Sequence, residues 1–132
     1  MLAITTKSPY AVRALTELAR LREAAPVPIG EIARRREIPV QFLEGLFATL
    51  RRAGVLQSQR GVKGGYSFAR PPTEVTVLAV VELLEGSLGA DAPATGPPWV
   101  EAVEALRAVL AETTIADLAE RESLGAAPMY YI

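Results

Sequence analysis

The chain has 132 residues, half of them hydrophobic, with 14 basic and 15 acidic side chains and no cysteine or histidine. That length supports one compact domain, or one domain with a helical arm. Without thiols or imidazoles there is no disulfide, no thiolate nucleophile, no histidine base for a serine triad and no usual ligand for zinc or an iron–sulfur cluster, so neither an enzyme nor a cofactor is expected.

Residues 8–24 read as a first helix, because Tyr10, Ala11, Ala14, Leu15, Leu18, Ala19 and Leu21 recur on one stripe. Ser8 suits its N-cap and Pro9 its first helical position. Pro26 and Pro28 end it. A short second helix covers Ile29 to Arg36, with Ile29, Ile32 and Ala33 turned inward. Ile38-Pro39 makes the following turn, since a residue before proline is pushed out of helical geometry. A third helix runs from Val40 to Ala53 on the apolar set Phe42, Leu43, Leu46, Phe47 and Leu50, with Gly54 as its terminating residue. The period then changes. Residues 55–59 and 66–69 read as strands around a glycine-rich tip, Arg60 to Gly65. Three helices followed by a hairpin outline a winged helix-turn-helix, mainly α with a small β-hairpin wing.

Thr76 can cap a fourth helix, Val77 to Glu85. Gly86 to Pro98 is rich in glycine, alanine and proline and reads as a linker. Trp99 to Ala111 forms a further helix, where Trp99, Val103, Leu106 and Leu110 follow the rhythm of a helix–helix seam and point to dimerisation. Thr114 and Asp117 resemble a capping box for a last helix, Ile115 to Arg121. The apolar tail, Pro128 to Ile132, can dock on the body or on a partner. The expected division is a DNA-binding unit at 1–86 and a linker, dimerisation helix and C-terminal helix at 87–132. The longest strongly apolar stretch, residues 75–84, is too short for a bilayer and contains Glu82. The N-terminus lacks a secretory pattern. A cytoplasmic protein that does not engage the membrane is expected.

The near-zero net charge hides an asymmetry. Residues 1–70 carry twelve basic and five acidic side chains, and residues 71–132 carry two and ten. A basic half points to a polyanionic partner. On the third helix Gln41, Glu44, Gly45, Ala48, Thr49, Arg51 and Arg52 are expected on the exposed face. Gln41 can bond adenine, Glu44 can accept from cytosine, and Gly45 lets the helix approach closely. In the tip, Arg60, Gly61, Lys63, Gly64, Gly65 and Tyr66 can enter a minor groove or lie along phosphates. Arg34, Arg35 and Arg36 read as a solvated face that can also touch phosphate. The alternative is a winged-helix protein-interaction module without DNA binding.

These pieces resemble the Rrf-two family of bacterial winged-helix regulators. The matching segments are Tyr10-Ala11-Val12-Arg13-Ala14-Leu15, Val27-Pro28-Ile29-Gly30-Glu31-Ile32-Ala33, Phe42-Leu43-Glu44, Leu50-Arg51-Arg52-Ala53-Gly54-Val55-Leu56 and Ser58-Gln59-Arg60-Gly61-Val62-Lys63-Gly64-Gly65-Tyr66. The resemblance implies a homodimer on an inverted-repeat operator in double-stranded DNA, acting as a repressor. It also implies DNA contacts at Gln41, Glu44 and Arg60, and a dimer helix at 99–111. Many members hold an iron–sulfur cluster through three cysteines in the segment matching Gly86 to Pro98, which has none here. A cluster-free member is therefore expected, whose signal is a small molecule, a partner protein or nothing. Gly45 stands where a longer polar residue is frequent, and Pro39 where a serine cap is usual.

Overall fold

The computed structural model describes residues 4–21 and 25–126, so the apolar tail singled out above lies outside the described residues. In chain order come α1 (Lys7–Leu21), α2 (Ile29–Arg36), α3 (Val40–Arg52), β1 (Leu56–Gln59), β2 (Gly65–Phe68), a 3₁₀ turn (Pro72–Glu74), α4 (Val77–Glu85), α5 (Ala92–Thr95), α6 (Pro97–Glu112) and α7 (Ile115–Ala126). This is a winged helix-turn-helix with a helical C-terminal part. Its core is one cluster in which Leu15, Ile32, Leu43, Phe47, Leu50 and Ile115 are fully buried. The stripe periodicities of α1, α2 and α3 converge there, which is how an amphipathic helix gains most of its stability.

The caps explain most boundaries. α3 ends in a Schellman arrangement: the Gly54 N–H donates to Arg51 O (3.0 Å) and the Val55 N–H to Leu50 O (3.0 Å), with Gly54 at φ +83°. Val55 and Leu50, the two ends of that motif, are both fully buried. The Thr76 side chain accepts from the Ala79 N–H (3.1 Å) and starts α4. Thr114 and Asp117 form the reciprocal capping box, with bonds of 2.9 and 3.0 Å, and start α7.

Other features depart from the sequence expectation. Ser8 is not the cap of α1, which begins at Lys7. The Ser8 hydroxyl instead donates to the Glu85 carboxylate (2.8 Å), which also accepts from the Thr5 N–H (2.8 Å). A carboxylate 77 residues away in sequence thus supplies the anion that a helix N-terminus favours. The turn between α2 and α3 depends on Glu37 as well as on Ile38-Pro39. Glu37 takes left-handed geometry (φ 55°, ψ 47°) and lets the Ile38 N–H reach Ala33 O at 2.9 Å. The expected linker contains α5, and α6 starts at Pro97, two residues before Trp99. α7 continues past Arg121 to Ala126.

α7 returns to the head. It packs on α1, and its first residues pair with the start of α4 through Val77 N to Thr113 O (2.8 Å) and Ile115 N to Val75 O (2.9 Å). No helix among the described residues is long and apolar enough to cross a membrane.

Candidate nucleic-acid interface

α3 presents one buried and one open face. Leu43, Leu46, Phe47 and Leu50 anchor it, and Phe42 meets Tyr10 edge to face at 5.5 Å between ring centres. This leaves Gln41, Glu44, Gly45, Arg51 and Arg52 exposed, as expected, while Ala48 and Thr49 are half-buried. The Arg52 guanidinium rests on the Thr49 hydroxyl at 3.3 Å.

The wing is fixed at its base and open at its tip. β1 and β2 pair antiparallel, with Leu56 opposite Phe68 and Gln59 opposite Gly65. The backbone of Tyr66 also pairs with Val27 just before α2, through bonds of 2.8 and 2.9 Å. That approach requires glycine beside it, because a Cβ on Gly65 (φ +155°) would strike the Val27 backbone. A Cβ on Gly64 would strike the Gln59 carbonyl. The Tyr66 ring packs edge to face on Phe47 at 5.1 Å. Among the tip residues expected to meet DNA, Tyr66, Gly64 and Gly65 therefore shape and anchor the wing, while Arg60, Gly61 and Lys63 are exposed. Val62 is fully exposed between the last two.

The arginines ending α2 are engaged with acids. Arg36 lies mostly buried between Glu17 (2.9 Å) and Glu122 (2.5 Å). Arg34 and Arg35 both reach Glu31, at 3.0 and 2.8 Å, and Arg35 also approaches Glu17 at 3.6 Å. The hydrogen bond from Arg36 is the main reason the Glu122 carboxyl titrates below its usual range, and Glu122 in turn raises Arg36. Arg36 is thus a structural cation, and the phosphate contact considered for this triplet does not extend to it.

Sequence reasoning missed Lys7. It lines a cleft of about 320 Å³ together with Gln41, Gly45 and Thr49, because the start of α1 packs beside α3. No local pattern signals that neighbourhood.

The expected dimer seam needs one correction. Val103 is buried in its own chain, against Gly89, where any Cβ would collide with the valine. Trp99 and Val109 are the exposed large hydrophobic side chains of α6, at 49% and 60%, while Leu106 and Leu110 are half-buried. The heptad rhythm correctly marks an apolar helix, but one of its positions holds the α5 segment instead of facing outward.

A family model described as Rrf2, iron-dependent transcriptional regulator, matches residues 4–121. The chain is 44% identical over 85 residues to slr0846 of Synechocystis sp., provisionally named an HTH-type transcriptional regulator, a match that covers 64% of this chain and 58% of that protein. It is 32% identical over 136 residues to the HTH-type transcriptional regulator CymR of Bacillus subtilis, covering 98% and 99% of the two chains. Among solved structures, CymR (YrzC), the global cysteine regulator of B. subtilis, superposes with a TM-score of 0.79 at 33% identity, over 91% of this chain and 98% of that one. IscR of T. potens gives 0.80 at 36% identity, over 92% and 88%.

The iron in the family description does not fit this chain's donors. Cysteine and histidine are absent. Among the described residues no three acidic side chains converge as a metal site. Glu82, beside the segment in question, accepts from Arg107 (2.5 Å) and from the Leu88 N–H (3.2 Å), and these bonds hold its carboxyl below the usual range against the opposing effect of burial.

Proposed function

Because the chain belongs to the Rrf2 family of DNA-binding transcriptional regulators, we propose that it acts as a homodimeric repressor on an inverted-repeat operator, in the cytoplasm and without an iron–sulfur cluster. The observation that carries this reading is the shared exposure of the α3 face and the cationic wing tip, braced by one core. α3 enters the major groove, where Glu44 accepts from a cytosine amino group and Gln41 bonds an adenine edge or a phosphate. Arg51 and Arg52 lie at the helix end and meet phosphates, which fix register but carry no base information. Arg60 and Lys63 follow the wing into the minor groove or along its phosphates, a geometry the glycines keep narrow.

A dimer supplies the second half-site. Its natural seam is the outward face of α6, led by Trp99 with Val109, Leu106 and Leu110. A symmetric pairing would bury these apolar groups and set the spacing of two α3 helices. Repression follows where the operator overlaps a promoter. The compatible effectors are a small molecule or a protein partner.

Selection of duplexes from a random library by the purified protein tests the reading. Enrichment of an inverted repeat, with a protein that sediments as a dimer, is the expected result. An interaction module that has lost DNA binding would enrich nothing and show only weak, salt-labile association.

A further inference from the structure

Resting on that DNA-binding reading, we propose that Lys7 and the notch at Gly45 seat the sugar–phosphate backbone of one operator strand along the flank of α3. Gly45 lies well inside α3 (Val40–Arg52), where glycine is among the least favourable helix residues. Nothing among the described residues requires it. Its φ is not positive, and a Cβ built there meets nothing within 4 Å. Gly30 and Gly125 are equally open, but they sit in the first turn of α2 and the last turn of α7, where glycine is easily accommodated. An open glycine at this point of α3 leaves room for a close approach from outside the described residues.

The surroundings say what approaches. Gly45 opens into the cleft of about 320 Å³, with Phe42, Leu46 and Leu84 as apolar walls and Lys7 at its edge. Gln41 and Thr49 stand one turn to either side of Gly45, so the three residues mark a flank of the helix. A helix in the major groove, roughly 12 Å wide, meets base edges along its crest and phosphates along its flanks. A deoxyribose fits against the apolar walls, and the adjoining phosphate meets the Lys7 ammonium and the Gln41 amide. Thr49 is not a donor here, because its hydroxyl already donates to Gly45 O (3.3 Å). The start of α1 is not an anion site either, since Glu85 accepts from the Thr5 and Ser8 N–H groups.

The test uses the full chain and its selected operator over a range of salt. Lys7→Ala is expected to weaken binding about three- to tenfold on every duplex and to lower the salt slope by about one per subunit. Gly45→Ala is expected to raise Tm yet weaken binding, because it improves the helix and narrows the seat. Gly45→Gln is expected to weaken binding by about tenfold or more without changing the selected motif. An unchanged affinity and slope for Lys7→Ala would overturn the proposal, as would full affinity for Gly45→Gln. A lower Tm for Gly45→Ala would remove its structural premise. A changed base preference in a Gly45 variant would put a base edge in the notch instead of the backbone, and would also overturn it. A parent protein that selects no duplex fails at the DNA-binding reading itself, which separates the two failures.

Discussion

Arg34, Arg35 and Arg36 close α2 within reach of Glu31, Glu17 and Glu122, whereas Arg51, Arg60 and Lys63 at the end of α3 and in the wing extend into solvent. In sequence the first group is the more conspicuous, three consecutive cations in a basic half. In space it is matched by acids, one of them 86 residues away. Cationic density along the chain therefore does not locate a polyanion site. The distance from each cation to the nearest carboxylate separates the two groups. The α2 end contributes to stability, and the exposed cations of α3 and the wing are those the proposed DNA contact would use.

Exchanging single residues across that divide tests it. The largest effect is expected at Arg36→Ala, which leaves Glu17, at 9% exposure, without its closest cation. Glu122 is 39% exposed and partly rehydrates, so the stability loss is about 2–3 kcal/mol, below that of a fully enclosed pair. Chemical denaturation measures it, and the salt slope of operator binding should be unaltered. Next comes Glu44→Ala, expected to erase about 1–3 kcal/mol of discrimination between the preferred operator and one altered at the contacted base pair. Equal loss on both duplexes would remove Glu44 from base readout. Arg60→Ala should follow, with about 1 kcal/mol of binding lost, a shallower salt slope and an unchanged Tm, the reverse of the Arg36 signature.

The smallest effect concerns acid. Glu122 titrates below its ordinary value of 4.5 chiefly through the Arg36 hydrogen bond, and Glu82 does so through Arg107. A carboxylate lowered in the folded state stabilises fully above its unfolded pKa, and that contribution is lost as pH falls through the folded value. Tm should therefore drop below about pH 4.5, and Arg36→Ala should show less of this drop. An identical acid profile in the variant would show that Glu122 contributes nothing to it.

The elements legible in the sequence were those set by rules that reach three or four residues. The spans of α2 and α4, the Thr76 cap, the Thr114–Asp117 box, Gly54 after α3 and the hairpin all follow from periodicity, capping or turn chemistry. On α3 the exposed positions Gln41 and Glu44 followed from the same periodicity. Long-range neighbours were not legible. Ser8 resembles a cap by local rules, yet it meets Glu85. Val103 has the spacing of a seam residue, yet it covers Gly89. Lys7 stands apart in sequence from every α3 residue whose cleft it shares. Each of these depends on which helix packs beside which, and the acids and small residues involved would read the same in many other folds.

The pairing of Tyr66 with Val27 turns the two-stranded wing into a splint fastened to the first residues of the helix-turn-helix. The bridge ties the wing base to the segment before α2, so the base keeps its place relative to α3. In the proposed complex, duplex DNA would then be the compliant member. Sites whose minor groove narrows or bends cheaply to that placement would bind better, even at base pairs no side chain reaches. In the proposed complex, part of the sequence preference would thereby be written in the stiffness of the operator.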